Sequence, residues 1–270
     1  MKGPLVLSLV FLALPALGGY VGVGTIFELG WDAWDVGMAG AGLALAEGPG
    51  TLFTNPAGIA WEEGIVLLGS SSSMYGAATS SSVAACLPGV GLGGIILDSG
   101  PIDEGLRYRV EGAAAALSIP LSEALALGGR ARVLRHVLPQ EETGWAVDLA
   151  VMLRGPLSLA ALAEGLVSQA PVLEETWPPS LSLGVAMALP LPEPLTGALG
   201  VAVRGLGEEP LLSLGAQLWA KELGVRAGYC GEKFTCGLSV GWGSFRLSLA
   251  TELHTTLPPS FKASFQVILR

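Results

Sequence analysis

The chain has 270 residues, 51% of them hydrophobic and 14% charged, with a formal net charge of -9 and a mean hydropathy of +0.58. Soluble domains carry about 25% charged residues, and a helix crosses a bilayer on about 20 consecutive apolar residues, which no window here supplies. A membrane β-barrel or a very large dry core remains, and the acidic balance excludes a phosphate-backbone binder, which needs clustered Lys and Arg.

Residues 1–18 read as an export signal. Lys2 supplies the positive start, Pro4 to Leu17 the apolar core, and Ala16-Leu17-Gly18 a small-x-small cleavage site, so the mature chain is expected to begin near Gly19. That core is too short for a stable anchor, and no Cys follows it to carry a lipid. Next comes a Gly/Ala-rich stretch from Trp31 to Trp61, nearly uncharged after Asp35 and closing on Asn55-Pro56-Ala57. It is too irregular for one helix and too apolar for a solvated linker, so it needs a host that hides it. The chain divides accordingly into a signal (1–18), a hatch or plug (19–62) and a barrel (63–270).

From Ile65 onward the period is two, the signature of strands. Phe261, Ala263, Phe265, Val267 and Leu269 alternate with Lys262, Ser264 and Gln266; Trp145, Val147, Leu149, Val151 and Leu153 alternate with Ala146, Asp148 and Arg154. Fourteen strands are expected, at 65–75, 79–87, 90–98, 107–119, 122–136, 144–154, 156–166, 180–189, 196–204, 211–219, 222–230, 233–241, 243–252 and 260–269. Most have the length that crosses an outer membrane when tilted by about 45°. The segment at 156–166 alternates weakly.

Connections after even-numbered strands are mostly tight, as at Pro88-Gly89 and Ala220-Lys221. Those after odd-numbered strands are mostly longer and acidic, carrying Asp103-Glu104, Glu141-Glu142, Glu174-Glu175 and Glu208-Glu209. Tight turns at one end and longer loops at the other is the polarity of an outer-membrane barrel. A secreted β-sandwich would put a well-charged face to water, whereas the second face here is mainly Gly, Ala and Ser. The expected fold is therefore all-β, a transmembrane antiparallel barrel of about fourteen strands with an N-terminal plug.

The search for chemistry returns little. Gly40-x-Gly42 has Leu45 where a dinucleotide fingerprint needs Gly. Gly48 to Thr54 lacks the Lys of a phosphate loop. Gly237-Leu238-Ser239-Val240-Gly241 spells a nucleophile-elbow string but alternates as a plain strand. Two histidines, His136 and His254, cannot build a histidine-rich metal site, and solvated loop charge accounts for the paired acids. Cys86, Cys230 and Cys236 form no disulfide framework, and a two-residue turn at Gly231-Glu232 would put Cys230 and Cys236 on opposite faces. No enzyme activity, cofactor or metal is expected.

Charges facing lipid at mid-depth cost roughly 2–4 kcal/mol, so Arg109, Glu111, Arg130, Arg132, Asp148, Arg154, Arg226, Arg246 and Lys262 are assigned to the lumen. Such a set can hold a plug by salt bridges or guide an anionic head group. Asn55 can bond its own backbone and set a turn before Pro56, or form part of a moving gate. Gly37, Gly40 and Gly42 allow the backbone to approach a barrel wall.

The run Gly37-Met38-Ala39-Gly40-Ala41-Gly42, then Leu43 to Ala46, then Asn55-Pro56-Ala57-Gly58, resembles the hatch of the FadL family of outer-membrane transporters and of the related PorV/PorQ barrels. The segments 144–150 and 257–267 also resemble PorV-like strands. This resemblance implies a fourteen-stranded barrel with its N-terminus folded inside, located in a bacterial outer membrane and placed there by the barrel-insertion machinery. It implies passage or binding of small hydrophobic molecules, or alternatively an accessory role toward secreted proteins, or a mainly structural role. Outer-membrane lipid is the expected surrounding, and no nucleic acid is expected as a partner.

Overall fold

The computed structural model describes residues 26–28, 30–46, 48–103, 106–137, 141–169, 179–207 and 210–269. The signal-peptide assignment and the acidic pairs at 174–175 and 208–209 lie outside the described residues.

Fourteen antiparallel strands close into one barrel, each paired with its sequence neighbours and β1 with β14. They are β1 (Ile65–Met74), β2 (Ala78–Leu87), β3 (Val90–Asp103), β4 (Leu106–Pro120), β5 (Leu125–His136), β6 (Glu142–Leu153) and β7 (Leu157–Gln169), followed by β8 (Ser180–Leu189), β9 (Leu195–Leu206), β10 (Leu211–Ala220), β11 (Leu223–Cys230), β12 (Lys233–Trp242), β13 (Phe245–His254) and β14 (Ser260–Leu269). Every expected strand is present. Closure settles barrel against sandwich, because it leaves no edge with unpaired backbone. β3 and β4 run further than their alternation indicated, so the acidic loop expected between them is largely absorbed into strand.

Side chains alternate about the wall as period two requires. Leu117, Ile119, Leu149, Leu247 and Phe261 stand exposed outside, while Ala114, Ala116, Ala150, Ser248 and Ser264 are buried inside. The outer face carries aromatic groups toward both rims. Trp242, Phe245 and Phe265 cluster near the tight-turn end, with centroids 6.1 and 5.7 Å apart, and Tyr229, Phe234 and Phe261 lie toward the loop end. An apolar band between aromatic girdles is the exterior of a transmembrane barrel.

β7 explains its own weak alternation. Leu149 of β6 pairs with Ala163, but Val147 pairs with Val167, so extra β7 residues bulge opposite Asp148. A bulge bends its strand and re-aims side chains. Here it brings the Gly165 amide to Asp148 Oδ1 at 2.9 Å, while Glu164 keeps the inward parity of Ser158, Ala160 and Leu162. A second irregularity between β8 and β9 lies beside Arg204.

The described residues from 26 to 61 pack inside the barrel. Two short helices, α1 (Ala33–Gly37) and α2 (Thr51–Thr54), alternate with 3-10 turns at Ile26–Glu28, Ala41–Ala44 and Pro56–Trp61. Trp31, Met38, Leu43, Leu52, Asn55 and Ile59 are almost wholly buried there. Where plug backbone meets wall, the wall residue is glycine. A β-carbon on Gly128 would fall 2.6 Å from the Pro56 carbonyl carbon, and one on Gly200 would fall 2.5 Å from the Ala41 oxygen. Gly129, next to Gly128 in the chain, has nothing nearer than 3.6 Å.

This contrast is testable. Gly128→Val is expected to lower the thermal unfolding midpoint by about 4–10 °C, the consequence of roughly 1–3 kcal/mol of overpacking, whereas Gly129→Val leaves it within about 2 °C. Equal shifts in the two variants, followed by circular dichroism in detergent, would show that the plug does not press on Gly128.

Candidate functional site: a plug held by lumen charges

The plug keeps its shape through local bonds. Asp32 caps α1, its Oδ1 accepting from the Asp35 amide at 2.7 Å. Burial pushes the Asp32 carboxyl up to about 6, against the pull of the Asp35 amide, Lys262 and Arg226. Gly40 sits at φ +75, a left-handed turn that suits glycine, and opens the 3-10 turn at Ala41–Ala44. Asn55, fully buried, accepts from the Ala57 amide at 3.1 Å and donates through Nδ2 to the Leu43 carbonyl at 3.0 Å. It thereby caps the turn begun by Pro56 and ties the Gly-rich run to the NPA motif.

Wall side chains then grip plug carbonyls. Arg130 donates through Nη1 to the carbonyls of Leu52 (3.1 Å) and Phe53 (2.5 Å), at the end of α2. Its Nε contacts Asp148 Oδ2 at 2.7 Å and its Nη2 contacts Glu164 at 2.9 Å. Arg132 closes the group, donating to Asp148 Oδ1 at 2.8 Å and lying 5.2 Å from the Phe27 ring centroid. Four wall charges of balanced sign therefore sit behind α2, all but Glu164 almost wholly out of solvent. Elsewhere Arg204 donates to the Gly40 carbonyl at 2.7 Å and Thr235 to that of Gly37 at 3.1 Å. Lys262 Nζ meets the Gly30 carbonyl, and Ser118 donates to that of Ala57 at 3.1 Å. At the tight-turn rim Arg154 stacks 4.3 Å over Trp61.

Of the charges assigned to the lumen, Arg130, Arg132, Asp148, Arg226 and Lys262 are buried against the plug; Arg246 lies among the inner residues near the tight-turn end. Arg109 and Glu111 correct the assignment. Val110 between them is fully buried, so the pair takes the outward parity of Ala113, Ala115 and Leu117. They stand near the loop-end part of β4, level with the β1–β2 turn, and pair with each other at 2.7 Å while about one-third exposed. Water is close enough there for a paired charge to face outward without the mid-membrane cost.

Glu164 and Arg204 escaped the sequence reading. Arg204 shares parity with Ala198 and Ala202, and Glu164 with Ser158, Ala160 and Leu162, so alternation could have found both. Ser239, of the nucleophile-elbow string, lies in β12 and accepts from Arg226 at 2.7 Å. The three cysteines are free; Cys236 is exposed outside, while Cys230 ends β11 on the opposite parity.

The polar groups of the lumen can therefore hold backbone and exclude solvent. Between α1 and the walls of β1, β10, β13 and β14 remains a cavity of about 70 Å³, lined by Asp32, Trp34, Gln217, Trp219, Arg246, Ser248, Ser264 and Gln266, with Leu68. Pockets for drug-sized ligands run to about 300–1,000 Å³, so with the plug seated this cavity is too small for one.

These features define a closed, internally plugged antiparallel β-barrel of the outer-membrane type. No protein-family model and no curated protein matches the chain. Solved structures do. The CymD monoaromatic hydrocarbon channel superposes with a TM-score of 0.61 at 12% identity, over 90% of this chain and 98% of that one. A Pseudomonas aeruginosa FadL homologue matches at 0.54 and 9% identity, over 94% and 100%. The Pseudomonas putida toluene transporter TodX matches at 0.54 and 13%, over 88% and 96%. At these identities what is shared is the fold, a closed antiparallel β-barrel.

Removing Arg130 takes one of two arginine partners from buried Asp148 and from Glu164 and leaves two plug carbonyls without their donor. Arg130→Gln is expected to cost about 3–5 kcal/mol in denaturant-induced unfolding, the usual cost of breaking a buried ion network. Arg109→Gln, at an exposed outward pair, is expected to cost less than about 1 kcal/mol. Similar losses at the two positions would contradict the burial described.

Proposed function

We propose that the chain is a bacterial outer-membrane barrel that admits small, largely hydrophobic molecules by displacement of its N-terminal plug, with neither covalent chemistry nor energy coupling. The observation that carries this reading is a complete barrel with an apolar exterior, stoppered by a segment held through noncovalent contacts alone. Such a stopper can move without breaking a covalent bond. Two of the similar folds, CymD and TodX, are described as a monoaromatic hydrocarbon channel and a toluene transporter, which agrees in class. Export by the signal at residues 1–18 and insertion into outer-membrane lipid belong to the same proposal.

Because the enclosed cavity is so small, passage requires the plug to shift. In a background with Cys86, Cys230 and Cys236 replaced by Ser, Gly37→Cys with Arg226→Cys would place two β-carbons 3.4 Å apart, close to disulfide geometry. Vesicles carrying the reduced protein are expected to take up a hydrophobic probe such as toluene faster than empty vesicles. Oxidation should abolish the gain and reduction restore it. Uptake equal to that of empty vesicles in both states would overturn the passage reading; uptake unaffected by oxidation would overturn plug displacement.

The sealed lumen and short connections among the described residues favour a second reading, a PorV-like accessory for secreted proteins. Its sign would be stoichiometric recovery with exported proteins that share a C-terminal domain, together with no probe uptake.

A further inference from the structure

The cavity beneath α1 is bordered by more positive charge than the protein neutralises. Arg226 is almost wholly buried, and its Nε and Nη2 meet no acceptor among the described residues. Arg246 lines the cavity, and neither arginine has an ion-pair partner among the described residues. Their guanidinium carbons lie 5.2 and 4.9 Å from the Trp219 ring centroid, and Trp219 lies against the bare backbone of Gly224. Lys262 adds a third cation nearby, already bonded to the Gly30 carbonyl. Asp32 faces Arg226 and Lys262 and lines the cavity beside Arg246; Lys262 is also near Asp35 and Glu252, which have cations of their own in Arg204 at 3.6 Å and Lys233 at 3.3 Å.

The neutral groups around the cavity are committed in a way that leaves donors facing it. Trp34 Nε1 donates to Gln217 Oε1 at 3.0 Å, which leaves the Gln217 amide NH2 for another partner. Ser264 Oγ accepts from the Ala33 amide at 3.2 Å, so its hydroxyl proton is free to be given. Arg226 Nη1 donates to Ser239 Oγ at 2.7 Å; Ser239 can then donate to Ser248 at 2.5 Å, and Ser248 onward into the cavity it lines. Buried donors without acceptors are costly, and cations in a low-dielectric lumen costlier still. A volume of about 70 Å³ is room for roughly two waters, which also suits a halide or a carboxylate head.

We propose that this cavity is a binding site for one small monovalent anion, either a free halide or the carboxylate end of an organic acid, held by Arg246 with Ser248, Ser264, Gln217 and Gln266. The site does not depend on the passage reading, since an anion there would stabilise the seated plug whether or not solutes cross.

The test uses the mature protein in a zwitterionic detergent. Crystals soaked in sodium bromide are expected to show an anomalous peak within hydrogen-bonding distance of Arg246. In solution at constant ionic strength, replacing gluconate by bromide or formate should raise the unfolding midpoint saturably. Arg246→Gln should weaken that response at least tenfold in concentration. Competition separates the two sources: formate competing with bromide while octanoate does not identifies a free-anion site, and octanoate competing equally identifies a head-group site. Absence of the bromide peak from wild-type crystals overturns the proposal whether or not the variant folds. So does an identical anion response in wild type and Arg246→Gln.

Discussion

Contact between plug backbone and wall glycine is the constraint from which the rest of this structure follows. A fourteen-stranded barrel leaves a lumen that must hold water, side chains or chain. Here it holds chain, and chain brings amide and carbonyl groups that need partners once water is displaced. Glycine at positions such as 128 and 200 lets the plug approach to van der Waals distance. The plug can then be short, irregular and rich in small residues, and the lumen still closes.

Once the plug is that close, its exposed carbonyls need donors, and the wall supplies them from charged and hydroxyl side chains. This accounts for a lumen that is polar without being wet. Arg130 serves two carbonyls at the end of α2 while Asp148 and Glu164 balance its charge; Lys262 and Arg204 serve single carbonyls on the other side. Two wall carboxylates balance two arginines behind α2, on β6 and β7, whereas on the β11–β14 side Arg226, Arg246 and Lys262 gather and the one wall carboxylate beside them among the described residues, Glu252, is taken by Lys233 at 3.3 Å. The lumen is thus electrically lopsided, neutral where the plug is clamped and positive where the cavity lies.

The strands were legible because each residue faces one of two very different surroundings. Lipid-type exterior demands Leu, Val and Phe; a crowded interior demands Ala, Ser and Gly; period two follows. That logic weakens near the rims, where both faces approach water, and there Arg109 and Glu111 were placed on the wrong side while Val110 took the interior. It also breaks at a bulge. The segment at 156–166 looked faint because Ala161 and Ala163 stand on its outer face and Leu162 on its inner one, and the bulge beyond Ala163 turns the Gly165 amide to Asp148. The NPA motif marked the plug, but nothing local to Phe53 points to Arg130, 77 positions along the chain; such pairs emerge once register and closure are known.

Hydrogen exchange measured by mass spectrometry on the detergent-solubilised protein tests the central claim most directly. If the N-terminal segment is seated in the barrel as described, amides from Val36 to Gly58 that bond within the plug will exchange on the minutes-to-hours scale of the strands around them. Exchange of that segment within seconds, beside protected strands, would show an open barrel with a loose tail and contradict the account.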